Sequence, residues 1–156
     1  MAYNNNNTYN LTQAPRQNQS YGHQKSDNEI SIPSFNLKVL SKELFDKVAD
    51  ECAYKIKQNK KSNKPSQLRR FYDELVLWDE RASISEEAFE NALPFIFMIK
   101  SKVAYAVGRR NVDKTFKKFM DNVIDQIDSI KTLKNAKLFM EAMLGFYKSY
   151  RPNDND

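Results

Sequence analysis

From Ser41 to Tyr150 apolar residues return every third or fourth position, and nowhere does the chain keep the two-residue alternation of a half-buried strand. Three glycines and five prolines are too few for the turns of an all-β fold. The periodicity divides into about five helices. Ser41 is placed to cap the first, whose inner stripe holds Leu44, Phe45, Val48, Ala49, Cys52, Ala53 and Ile56. A lysine- and asparagine-rich stretch, Asn59 to Lys64, ends it. Pro65-Ser66 restarts the chain with Ser66 as the expected N-cap, and Leu68, Phe71, Tyr72, Leu75 and Trp78 face inward. Ser85 with Glu86 and Glu87 opens a third helical segment, because carboxylates suit the positive end of a helix. Pro94 is expected to begin a fresh helix or to kink this one. The residues after it are apolar nearly all round as far as Val107, which predicts a helix in the middle of a bundle, capped by Gly108. A fourth helix from Asp113 turns Phe116, Phe119, Met120, Val123, Ile124, Ile127 and Ile130 inward, and a fifth runs from Leu133 to Tyr150. The fold class is all-α, a compact bundle of about five helices.

At 156 residues there is room for one such domain. Residues 1–35 hold the run Asn4 to Asn7, then Gln13, Gln17, Gln19 and Gln24. They are expected to form a disordered Asn/Gln-rich tail, since they cannot bury enough apolar area to offset the entropy of ordering. The bundle then occupies 36–150, and 151–156 form a short disordered C-terminus. The longest uncharged apolar run, Leu93 to Ile99, is far shorter than the roughly 20 residues that cross a bilayer. Cys52 is alone and on an apolar stripe, so it is expected in the core of a reduced, cytoplasmic protein.

Catalysis finds little to work with. The only histidine, His23, lies in the tail, which removes the base that Cys–His and Ser–His–Asp chemistry require. One cysteine cannot build a zinc site, and the glycines are too dispersed for a phosphate loop. Asp121, Asp125 and Asp128 share one face of the fourth helix at a spacing that suits magnesium, and equally suits a solvated surface. No enzyme, metal or cofactor is expected. Charge is more informative. Residues 36–150 carry 22 Lys or Arg against 16 Asp or Glu. That excess of six is concentrated in two segments: seven cations and no acid from Lys55 to Arg70, and seven from Lys100 to Lys118 with Asp113 alone opposing them. Between them lies an acidic stretch from Asp73 to Glu90. Segregation of this kind points to a nucleic-acid partner. Arg69 and Arg70 have acids four residues on, at Asp73 and Glu74, so intrahelical pairing and phosphate contact both account for them. Lys100, Lys102, Arg109, Arg110, Lys114 and Lys117 have no nearby acid in the sequence except Asp113, and phosphate is their natural partner. Lys102, Arg109 and Arg110 are expected to outrank Lys55, Lys57, Lys60 and Lys61, which sit where a contact must order a mobile loop. Trp78, Tyr72 and Tyr105 fall on apolar faces and are expected in the core.

Three blocks bear a likeness to known proteins. Ser66-Gln67-Leu68-Arg69-Arg70-Phe71-Tyr72 opens a helix. Ile99-Lys100-Ser101-Lys102-Val103-Ala104-Tyr105-Ala106-Val107-Gly108-Arg109 follows, and Phe139-Met140-Glu141-Ala142-Met143-Leu144-Gly145-Phe146-Tyr147-Lys148 stands near the end. In this order and spacing, over about residues 38–150, the chain resembles the small subunit of type III-A CRISPR effector complexes, the Csm small-subunit family. It departs from the family at Ser101, often a proline there, and in its Asn-rich N-terminus. The resemblance implies a non-enzymatic helical subunit of an antiviral complex. Several copies would stack along the guide RNA–target RNA duplex, beside the backbone subunits and the large polymerase-like subunit, and supply positive surface without reading sequence. The site residues are then Arg69, Arg70, Lys100, Lys102, Arg109, Arg110, Lys114 and Lys117. A helical adaptor that binds an acidic protein partner through the same cations remains the alternative reading.

Overall fold

The computed structural model describes residues 31–154. A π-helical turn, Leu44–Val48, leads into α1 (Ala49–Ile56), followed by α2 (Pro65–Ala82), α3 (Glu86–Gly108), α4 (Lys114–Ile124) and α5 (Ile130–Tyr150). The described residues contain no strand. Most of the Asn/Gln-rich stretch expected to be disordered, up to residue 30, lies outside them.

Short polar side chains set most of the helix starts. Ser41 Oγ accepts from the Leu44 N–H at 3.2 Å, Ser85 Oγ from Ala88 at 3.1 Å and Asp113 Oδ1 from Phe116 at 2.9 Å. Ser129 and Thr132 form a reciprocal capping box at the head of α5. Helix α2 begins two residues earlier than an N-cap at Ser66 would place it. Pro65 occupies its first position, where a missing N–H costs nothing, and Lys64 is the N-cap. Pro94 interrupts nothing either. It lies inside the single 23-residue α3, and both Pro94 and Glu90, whose carbonyl loses its partner, are on the solvent side where water replaces the bond. Gly108 is the last residue of α3 rather than its left-handed cap. That conformation falls to Arg110, at φ 61°, while the N–H groups of Arg110 and Asn111 close on the carbonyls of Val107 and Ala106. Helix α4 stops at Ile124. Ile127 is buried in the following turn, and Ile130 opens α5 three residues before Leu133.

The helices pack in a closed round: α1 against α5, α5 against α2, α2 against α3, α3 against α4, and α4 back against α1. Phe71, Phe116, Phe119 and Phe139 meet in its middle with ring centroids 5.6–6.2 Å apart. The expectation of a central α3 is therefore corrected. Ile96, Ile99 and Val103 are fully buried, but Phe95, Met98 and Tyr105 are half exposed or more. A residue count of apolarity cannot tell a helix surrounded by protein from one whose outer stripe awaits a partner.

The packed body also reaches past 36–150 at both ends. Ile32 is buried, and the Phe35 ring sits 4.6 Å from that of Phe139. The Asn135 amide donates to the Leu37 carbonyl at 2.7 Å, and Gln126 Oε1 accepts from the Leu37 N–H at 2.8 Å. Arg151 donates to the carbonyls of Ser62, Asn63 and Lys60. Cys52 is fully buried as expected, and burial pushes its thiol up to about 12, so it stays protonated.

Candidate nucleic-acid interface

Two loops that are 48 residues apart in sequence join at one end of the bundle. The N–H of Asn63 donates to the Asn111 carbonyl at 3.0 Å, and Ser62 Oγ donates to the Arg110 carbonyl at 3.2 Å. Asn63 is the node of this junction. It is fully buried in the left-handed region at φ 59°, which asparagine tolerates, and its amide bonds the Ile56 carbonyl and the Asp113 N–H. Its own carbonyl accepts from the Tyr147 hydroxyl and from Arg151. Burial holds the Tyr147 phenol above its ordinary pKa, so it remains a donor. The lysine-rich loop expected to be mobile is tied down on three sides. Lys60, Lys61 and Lys64 consequently stand on the same end of the molecule as Arg109 and Arg110.

The eight residues expected to meet phosphate do not form one cluster. Arg70 and Arg109 line a groove of about 420 Å³ between α2 and α3, together with Gln67, Glu74, Tyr105 and Asn111. Lys102 reaches its edge by pairing with Glu74. Tyr105, expected in the core, is 66% exposed at this groove. Arg109 donates to its hydroxyl at 3.1 Å and lies over its ring at 5.7 Å. On the other side of α3, Lys114, Lys117 and Lys118 line a second groove with Ala104 and Val107. Arg69 faces away from both, toward Leu144, Tyr147 and Lys148 of α5, and pairs with Asp73 at 3.0 Å.

The expectation that the 100–118 cations lack acids is corrected. Lys100 pairs with Asp125 at 2.6 Å, Lys102 with Glu74 and Lys117 with Asp121. Two of these acids come from outside the segment's own helix: packing α3 against α2 and α4 delivers partners that the linear sequence hides. Among the described residues Arg70, Arg110, Lys114 and Lys118 have no ion pair. The same bridges decide the aspartate trio. Asp125 and Asp128 lie beyond the end of α4, and Asp121, Asp125 and Asp128 bind three different lysines, the last being Lys38 at 2.6 Å. Lys38 holds the Asp128 carboxyl below its usual range. Among the described residues no group of acids, cysteines or histidines is arranged to hold a metal ion.

Sequence reasoning missed the exposure of Tyr105 and the junction of the two loops. The first had a signal, since Tyr105 falls between Lys102 and Arg109 on the helix surface. The second had none, because Ser62, Asn63 and Asn111 look like ordinary loop residues.

No helix among the described residues is long and apolar enough to cross a membrane. The family model described as Csm2 Type III-A matches residues 40–153. No curated protein and no solved structure matches the chain.

Proposed function

Because the chain belongs to the type III-A Csm2 family, the small subunits of type III-A CRISPR effector complexes, we propose that several copies of it lie along the guide RNA–target RNA duplex in the cytoplasm and grip its backbone without reading sequence. The observation that carries this reading is the α2–α3 groove, where Arg70 and Arg109 flank an exposed Tyr105. Arg70 is unpaired among the described residues, so no carboxylate cancels its charge, and Arg109 is held by Tyr105, so that guanidinium meets a phosphate with little further ordering. The major groove of an A-form duplex is too deep and narrow for either guanidinium to reach base edges, which leaves both to the backbone. The subunit acts as a scaffold: its contribution is charge and shape, with RNA cleavage left to other subunits.

Charge is also separated along the molecule. Glu80, Glu86, Glu87 and Glu90 cluster where α2 turns into α3, while the joined basic loops lie at the far end of α3, about 35 Å away at 1.5 Å per residue. This polarity supports end-to-end stacking of copies and contact with the backbone and large subunits.

Titration of a guide–target RNA duplex into full-length protein tests the reading. Arg70→Gln with Arg109→Gln is expected to weaken binding about tenfold for any sequence and to flatten its salt dependence. Unchanged affinity, or strong preference among duplexes of equal length, overturns it. Displacement by an acidic protein but not by RNA would establish the adaptor reading instead.

A further inference from the structure

A second cationic site lies on the other side of the basic loop, between α1 and the end of α5. Lys57 Nζ sits 4.4 Å from the centre of the Tyr54 ring and 4.2 Å from that of Tyr150. The two rings meet edge-on with centroids 5.8 Å apart, and the Tyr150 hydroxyl donates to Asp50 at 2.6 Å, which fixes that ring. A groove of about 470 Å³ opens beside them, into which Lys60 and Arg151 also face. Arg151 is occupied by Asp154 and by the carbonyls of Ser62, Asn63 and Lys60. Asp50 is engaged by Tyr150. Lys57 and Lys60 are thus the cations left to the groove, and Lys57 is held in place by aromatic faces rather than by a carboxylate that would cancel its charge. Tyr54 remains 47% exposed.

We infer that Tyr54, Lys57 and Lys60 form a contact for single-stranded RNA, in which an unpaired base stacks on Tyr54 and the adjoining phosphate is held by the two lysines. This rests on the reading that the subunit works on RNA, and it adds a second surface to the α2–α3 groove. An anion is required by the charge. A single strand fits better than a duplex, because only an unpaired base offers a free π-face to an aromatic platform. It fits better than an acidic peptide, which needs the lysines but gains nothing from Tyr54.

The test compares a labelled oligouridine with a blunt RNA duplex of equal length, both bound to the full-length protein. Tyr54→Leu is expected to weaken single-strand binding about fivefold or more while leaving duplex binding unchanged. Tyr54→Phe keeps the affinity, and Lys57→Gln lowers the slope of log affinity against log salt by about 0.7. Parental single-strand affinity in a folded Tyr54→Leu protein overturns the inference, as does equal loss toward both RNAs. Displacement of the oligouridine by polyglutamate from the parent but not from Lys57→Gln assigns the site to an acidic partner and also overturns it. Duplex binding that disappears with Arg70→Gln and Arg109→Gln, beside an inert Tyr54→Leu, removes this site alone. Binding of neither RNA by the unaltered protein removes both readings.

Discussion

The segments Lys55 to Arg70 and Lys100 to Lys118 are near twins in the sequence, with seven cations each, yet they are treated differently by the fold. In the second, Lys100, Lys102 and Lys117 are neutralised by Asp125, Glu74 and Asp121. In the first, Lys55, Lys60, Lys61 and Lys64 have no ion pair among the described residues, and Lys57 is held by two tyrosine rings. The segment on a rigid helix has spent part of its charge on holding the bundle together. The segment that reads as a loose loop keeps most of its charge, with Arg69 paired to Asp73, and is anchored through Asn63, Ser62 and Arg151. Availability of a cation for phosphate is set by its nearest acid in space, and rigidity by where the backbone hydrogen bonds go; neither follows from composition.

The largest effect should come from breaking the anchor. Asn63→Ala removes two buried side-chain hydrogen bonds and places a Cβ without a polar group in the left-handed region, and should cost about 3 kcal/mol. Urea denaturation measures it. A loss well under 1 kcal/mol would mean that the loops are not held as described.

A comparison of lysine sets comes next. Lys60→Gln, Lys61→Gln and Lys64→Gln together should weaken RNA binding and reduce the salt slope by about three. Lys100→Gln with Lys117→Gln should reduce the slope by less than one per residue, since those lysines hold aspartates. Equal losses per residue would show that long-range charge alone governs binding. A smaller change of opposite sign is expected from Glu74→Gln, which removes the carboxylate in the α2–α3 groove and releases Lys102. RNA affinity should rise about threefold, read by anisotropy at fixed salt. A fall would mean that the Lys102–Glu74 pair orders the groove.

The smallest effect concerns the turn between α3 and α4. Arg110→Gly relieves a left-handed arginine and should raise stability by about 0.5 kcal/mol. It should also remove one phosphate contact if Arg110 belongs to the RNA surface. Calorimetric melting and the same RNA titration separate the two consequences.

The sequence by itself determined the helices and most of their starts. Ser41, Ser85 and Asp113 are caps that act within three residues, and the Phe116–Phe119–Val123 stripe buries the face its spacing predicts. It also carried the family likeness and most of the cations, because both are properties of residues in linear order. Tertiary structure alone decided which stripe of α3 stays exposed, which lysines are paired and which loops meet. Pro94 ends nothing because its carbonyl partner happens to face water. Tyr105 is exposed because α3 packs only to either side of it, against α2 and α4. Asn63 reaches Asn111 and Tyr147 across 48 and 84 residues. Local signals fix a helix because its hydrogen bonds close within four residues; ion pairs and loop junctions close across the bundle, so their partners exist only once the helices are packed.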